Sequence, residues 1–341
     1  MKLESNMSNV VLLATSHGVY AYNREPNTTW RETARGLTDH NVTSIIAREG
    51  VILAGTTDGV FRSDDLGKRW HHASTGLTTR RVRWMAYHPD ISDFEFAGTE
   101  PASVFISRDG AATWRECTEV AQLRDAHKWS LPYSPRAGCI RGFAFHGTRA
   151  YAATEVGGAL RSDDRGEMWR LCDGSTGDPR LDTPTAPFIY PDVHSIATHP
   201  SSPDLVFAPT GGGYYASRDG GKTWELLYDC YCRAVWIDPN DAAHQILGPA
   251  DGVDSNGRIE ETHDGGTLRA RHAASNGLSV PWRRHMVERF VQIDDPSTSS
   301  GQVLLAVLSN GTLLAAPLGS LQWQQILADV KDIAAVTSMA Q

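Results

Sequence analysis

The chain has 341 residues, and its 32 lysines and arginines against 40 aspartates and glutamates give a formal charge of −8, which argues against a nucleic-acid scaffold because phosphate binding needs a basic face. No apolar run approaches the roughly 20 residues of a membrane helix, and the polar start has no signal-peptide core behind it, so a soluble, cytoplasmic protein with no membrane partner is expected. Counts of 31 Gly, 17 Pro and 10 Trp suit many short strands joined by turns.

In chain order, residues 10–13, 19–22 and 30–33 read as three strands without an innermost partner. From there one unit recurs every roughly 40 to 55 residues: an apolar strand, a second strand ending on small residues, a third strand, a tight polar turn and a short fourth strand. Residues 82–87, 94–98, 104–107 and 114–117 show it whole. The polar turn is the most constant part, in its fullest form Ser217-Arg218-Asp219-Gly220-Gly221-Lys222-Thr223-Trp224. Ser63, Asp65, Gly67 and Trp70 repeat it, as do Ser107, Asp109, Thr113 and Trp114, and Ser162, Asp164, Gly166 and Trp169. Worn copies lie at residues 23–30, at Thr262, Asp264 and Gly266 with Arg269 in the tryptophan slot, and at a bare Trp323, which makes seven slots. In such a turn the Asp carboxylate accepts backbone N–H groups, the hydroxyl adds a local bond, Gly supplies positive φ, and Trp covers the base of the hairpin. Residues 333–339 supply an innermost strand with nothing after it. The expected fold is therefore all-β: one domain over residues 1–341, a seven-bladed β-propeller of four-stranded antiparallel blades, in which residues 331–340 pair with 8–37 to complete the N-terminal blade.

The turn resembles the Asp-box, or BNR, repeat of sialidase-like and sortilin-like β-propellers and of photosystem II assembly factors. The resemblance implies a propeller with structural Asp-box carboxylates and leaves function open, since such propellers include hydrolases, binding modules and assembly factors. Sialidases also hold a carboxylate with an arginine cluster. Their Arg-Ile-Pro motif is missing here, and seven slots exceed their usual six blades, so exo-sialidase activity is the least favoured reading. The assembly factors are similar in blade number and in an arginine patch.

Two connections run long, residues 120–138 and 173–192, with a shorter one at 276–284, and all lie on the face opposite the Asp-box turns, where a site is expected. Aligning the innermost strands puts Thr43, Arg83, Arg141, His194, Arg233, Glu288 and Ala334 at one equivalent position near the axis. Arginines grouped in a partly dry funnel suit a carboxylate, sulfate or phosphate; paired with acidic neighbours, they would instead pin blades together. Glu100 and Glu155 share a slot in the turn after the second strand, with Asp58, Asp251 and His17 in related places, and serve either as general acid and base or as arginine counter-ions. The inserts add Trp129, Tyr133, Arg136, Asp182, Tyr190, Asp192, Trp282 and His285.

These residues point to an enzyme, a hydrolase or lyase, acting on a small anionic substrate. Arg83, Arg141, Arg233, Glu288, Trp129 and Tyr190 would bind it, while Glu100, Glu155, His194 and His285 would act as acid, base or proton carrier. The alternative is a non-catalytic interaction or assembly propeller that uses the insert-bearing face. No cofactor is expected; a divalent metal would take His194, His285 and Glu288, although no H-E-x-x-H spacing supports it. The five cysteines read as reduced core thiols, and closed sheet edges make a monomer the default.

Overall fold

The computed structural model of the protein describes residues 9–24, 30–130, 138–265, 270–295, 298 and 301–340. Gly266 and Arg269 of the worn repeat, and Tyr133 and Arg136 of the first insert, lie outside the described residues. Seven four-stranded antiparallel sheets form. Blade I joins Asn9–Thr15, Gly18–Arg24 and Trp30–Gly36 to Ile333–Ala340, which pairs along Asn9–Thr15 with Val10 opposite Met339. The C-terminal strand thus closes the ring and leaves no inner edge open. Blades II to VII follow in chain order, their inner strands beginning at Val42, Val82, Cys139, Ala197, Tyr231 and Val287.

In each intact Asp-box turn the hydroxyl, the carboxylate and the N–H groups that face them bond to one another. In blade V the Ser217 hydroxyl donates to Asp219 Oδ1 at 2.8 Å, and the N–H groups of Lys222 and Thr223 donate to the same oxygen at 3.1 and 2.9 Å. The Gly221 N–H returns to Ser217 Oγ at 2.8 Å. Gly221 has φ +87°, and a Cβ there would lie 2.7 Å from Cys172 Sγ, so both conformation and space call for glycine. Blade III places Ala111 in that role at φ 67°, held by N–H bonds to Ser107 Oγ and Glu95 Oε2 at 2.9 and 3.2 Å. Two tryptophan indoles reach the preceding blade, Trp114 donating to Ala73 O of blade II at 2.8 Å and Trp323 to Ala274 O of blade VI at 2.7 Å, whereas Trp70 and Trp169 donate within their own turns to Gly67 O and Gly166 O.

There is no single core. Among the described residues, buried apolar side chains fall into seven clusters, one at each junction between neighbouring blades. A sheet with both faces covered by its neighbours must be apolar on both, which is why the inner and second strands read as near-continuous apolar runs. Close approach is helped by Gly55, Gly98 and Gly248, equivalent positions on second strands. A Cβ there would come within 2.6, 2.6 and 2.5 Å of Val82, Ile140 and Val287 on the next blade.

The first long insert contains a helix, Thr118–His127, that the sequence reading did not anticipate. Glu119 in its first turn and Arg124 and His127 in its last suit the helix dipole. Glu119 also accepts the Trp169 N–H at 2.9 Å, tying the helix to the Asp-box turn of blade IV. All five cysteines are free thiols, four of them buried.

Candidate functional site

The inner strands share a local irregularity that builds the site. In six of them the ladder slips, between Val42 and Ser44, Val82 and Trp84, Ile140 and Gly142, Cys232 and Val235, Val287 and Arg289, and at Ala334 between Ile333 and Ala335. In blade V the N–H groups of His194 and Ser195 both donate to Pro209 O, the same two-against-one arrangement. The residues at these bulges are Thr43, Arg83, Arg141, His194, Arg233, Glu288 and Ala334, the set that the frame alignment brought together. A bulge suspends the alternation of a strand, so neighbouring residues can face one side. Trp84 therefore accompanies Arg83, and Arg289 accompanies Glu288, into the central cavity. Sequence reading missed both, because apolar periodicity does not locate a bulge.

Contacts across the ring show the convergence. Arg141 of blade IV reaches Glu288 of blade VII at 3.2 Å, and Arg289 of blade VII lies over the Trp84 ring of blade III, 4.2 Å from its centroid. Arg233 also bonds Glu288. Burial alone would raise the Glu288 pKa, but Arg233 and Arg141 outweigh it and hold the carboxylate below its ordinary range.

Two cavities meet at Arg83, Arg141 and Glu288. The first, about 380 Å³, is also lined by Thr43, Trp84, Arg289, the turn at Ser309, Asn310 and Gly311, and Asp332. The second, about 590 Å³, adds Glu155, Tyr190, Asp192, Tyr231 and Arg233 under an apolar rim of Val156, Leu181 and Val253. The second insert supplies Leu181 of that rim, with Tyr190 OH donating to Leu181 O at 2.9 Å.

Most charged groups here are already matched. Glu100 is buried and lies 2.9 Å from Arg81 Nε and 3.8 Å from Arg83 Nε. Glu155 accepts from Arg141 at 3.3 Å and from the Cys139 thiol at 2.9 Å. Burial, followed by Glu155, pushes the Cys139 pKa well up, so it stays a thiol. The His194 ring is fully enclosed, with Nδ1 2.9 Å from Cys232 O and Nε2 3.1 Å from Asp192 Oδ2 and 3.3 Å from Tyr231 OH. Tyr231 is pushed up to about 12 by burial, against the pull of Arg233.

Arg289 is the exception. Among the described residues it makes no hydrogen bond or ion pair, and its Nε is enclosed without a partner. Burial, then the charge of Arg141, lowers its pKa to about 10, which leaves it cationic at neutral pH.

Of the residues singled out from sequence, Arg83, Arg141, Arg233, Glu288, Glu155 and Tyr190 line the two cavities, with His194 and Glu100 directly behind them. Trp129 and His285 stand elsewhere. Trp129 is 2% exposed in the core between blades III and IV and donates to Gly177 O at 2.9 Å. His285 stacks on Trp282 at 5.1 Å, where burial lowers its pKa against the opposing charge of Asp254. The metal-type cluster in the funnel is Glu155, Asp192 and His194, with donor atoms within 4.8 Å of one another, rather than His194 with His285 and Glu288.

Fold and repeated turn together define the class, a seven-bladed Asp-box β-propeller. The BNR/Asp-box repeat family model matches residues 215–226. No curated protein matches the chain in sequence. Among solved structures, an ancestral GH74 enzyme is similar with a TM-score of 0.59 at 17% identity, over 87% of this chain and 38% of that one. A GH74 xyloglucanase from Xanthomonas campestris is similar with a TM-score of 0.58 at 18% identity, over 85% of this chain and 45% of that one. The chain thus spans less than half of either enzyme. YCF48 bound to D1 peptide is similar with a TM-score of 0.56 at 12% identity, over 93% of this chain and 95% of that one. At these identities the likeness is one of fold.

Proposed function

We propose that the funnel is a recognition site for a carboxylate-bearing ligand, with Arg289 and Arg83 as its anchors. The observation that carries this reading is Arg289, a cation facing a cavity without a hydrogen-bond partner while most of its charged neighbours are paired. A carboxylate supplies the missing bonds, and the stacked Trp84 ring holds the guanidinium flat for two-point contact. Arg83, whose only ion pair among the described residues spans 3.8 Å, has donors to add. Glu100 and Glu155 act as counter-ions that fix the arginines. The apolar rim of the second cavity suits a ligand that continues from its anionic end into an apolar part. A peptide carboxylate has that form, and YCF48, whose fold is similar over nearly its whole length, is a propeller bound to a peptide.

The test is calorimetric titration at low salt with an acidic peptide ending in a free carboxylate, beside its C-terminal amide and simple carboxylates. The free acids are expected to bind, and Arg289→Ala is expected to weaken them about 10- to 100-fold, the worth of a charged hydrogen bond. Equal affinity in the variant would refute the assignment. A hydrolase or lyase reading is supported by the Asp192–His194–Tyr231 contacts, which form a route for a proton at the edge of the second cavity. It requires turnover of a bound ligand that His194→Ala abolishes while binding persists.

A further inference from the structure

We propose a second site, for a divalent transition-metal ion, on blade VI, formed by His244, Glu261 and His263. The pairing of Asp241–Ala250 with Glu260–Thr262 sets Ile246 opposite Glu261 and Gln245 opposite Thr262. Residues two apart in a strand share a face, so His244 and His263 emerge on the Glu261 side as cross-strand neighbours. Their rings stack at 4.3 Å, 15° from parallel, and both Nε2 atoms turn toward Glu261 Oε1, at 2.8 Å from His244 and 3.6 Å from His263. The three donor atoms lie within 4.8 Å of one another.

Behind His244 stands Asp238, with Oδ2 3.1 Å from Nδ1. A carboxylate at Nδ1 is the outer-shell arrangement that orients an imidazole for a metal, and it leaves Nε2, which faces Glu261, as the ligand atom. Nε2 and the carboxylate oxygen, 2.8 Å apart, are held together by a cation between them, either a proton or a metal ion. Two donors of a tetrahedral ion, each about 2.1 Å from it, stand about 3.4 Å apart, between the 2.8 and 3.6 Å that separate the two histidines from Glu261.

Comparison with other blades sharpens the point. By register, His244, Glu261 and His263 correspond to Arg149, Arg161 and Asp163 of blade IV, where Asp163 lies 3.3 Å from Arg149 and 2.5 Å from Arg161. Blade II has an Arg62–Asp64 pair at 2.7 Å in the last two positions. In those sets the carboxylate is answered by an arginine. Blade VI keeps two carboxylates, and among the described residues no arginine or lysine pairs with Asp238 or Glu261. Two imidazoles and a carboxylate suit zinc or cobalt rather than magnesium or calcium, which favour oxygen donors throughout. His263 is largely exposed, which leaves coordination positions open to solvent.

The experiment titrates tag-free, chelator-treated protein with Zn2+ and with Co2+, read by calorimetry, visible absorption and thermal unfolding. One equivalent is expected to bind, with cobalt ligand-field bands and a raised midpoint. His263→Ala, a surface change that leaves the fold intact, is expected to weaken binding roughly 100-fold, and Asp238→Asn about tenfold. His194→Ala in the funnel is expected to leave the affinity unchanged. Failure of the parent protein to bind either ion, affinity unaltered in His263→Ala, or binding lost in His194→Ala would each overturn the proposal; the first outcome would leave a proton bridging the pair.

Discussion

The two ends of each blade repeat in different ways. At the Asp-box end the residues recur: Ser63, Ser107, Ser162 and Ser217 each bond the aspartate two places on, at 2.7 to 3.0 Å, and receive an N–H from four places on. At the funnel end the positions recur while the residues vary, so that one bulge carries arginine in three blades, at Arg83, Arg141 and Arg233, and Thr43, His194, Glu288 or Ala334 in the others. Constant chemistry in a closed, self-satisfied turn stabilises a hairpin irrespective of its neighbours. Varied chemistry at a fixed place gains meaning only when the ring brings the blades together.

That contrast can be broken at either end. The largest effect is expected for Trp114→Ala, which removes a ring packed between blades II and III and should lower stability by about 3 to 5 kcal/mol in urea unfolding while leaving ligand affinity alone. Affinity falling in step with stability would mean that the ends are not independent. Arg289→Ala is the converse: its loss of about 1.5 to 3 kcal/mol should appear in ligand binding, with an unfolding midpoint equal to or above the parent, since an unpartnered charge is removed.

A smaller change, about 1 kcal/mol by analogy with a lost helix cap, is expected for Asp219→Ala, because only local turn bonds disappear. A chemical denaturation curve displaced by several times that amount would assign the carboxylate a wider role.

The subtlest test uses Glu95, buried at the place where blade VI carries Gln245. Burial raises its pKa from 4.5 to about 7, although bonds from Ser107 and the Ala111 N–H pull it down. The folded protein therefore holds this proton more tightly than the unfolded chain. Its contribution to stability is complete below pH 4.5 and is lost as pH rises through 7. Glu95→Gln should remove that decline from the melting temperature measured between pH 5 and 8. An undiminished pH slope in the variant would place its source elsewhere.

Much of the architecture was legible because it is written locally. The tryptophan slots gave the blade number, and the unpaired strand at residues 333–339 gave the closure. Arg83, Arg141, Arg233 and Glu288 line the cavities together because the frame keeps equivalent residues at equivalent places on the ring. Trp129 looks from sequence like a ligand-binding residue, since a tryptophan in an insert looks the same whether it faces solvent or packs between two blades. His285 was set beside His194, although the third connection carries it to Trp282. The helix at Thr118–His127 escaped notice because it buries only Val120 and shows little apolar face.

The sequence by itself determined the repeat, the self-bonded turn and the ring that seven such units close, because these follow from residues within one hairpin and from apolar runs that need covering on both faces. Only the tertiary structure decided which charges meet which. Bulges chose the residues that face the axis, and blades distant in the chain paired Arg141 with Glu288 and set Arg289 over Trp84 with no carboxylate paired to it among the described residues. Electrostatic partnership depends on separations of a few ångströms between strands far apart in the chain, and no local pattern of residues encodes those separations.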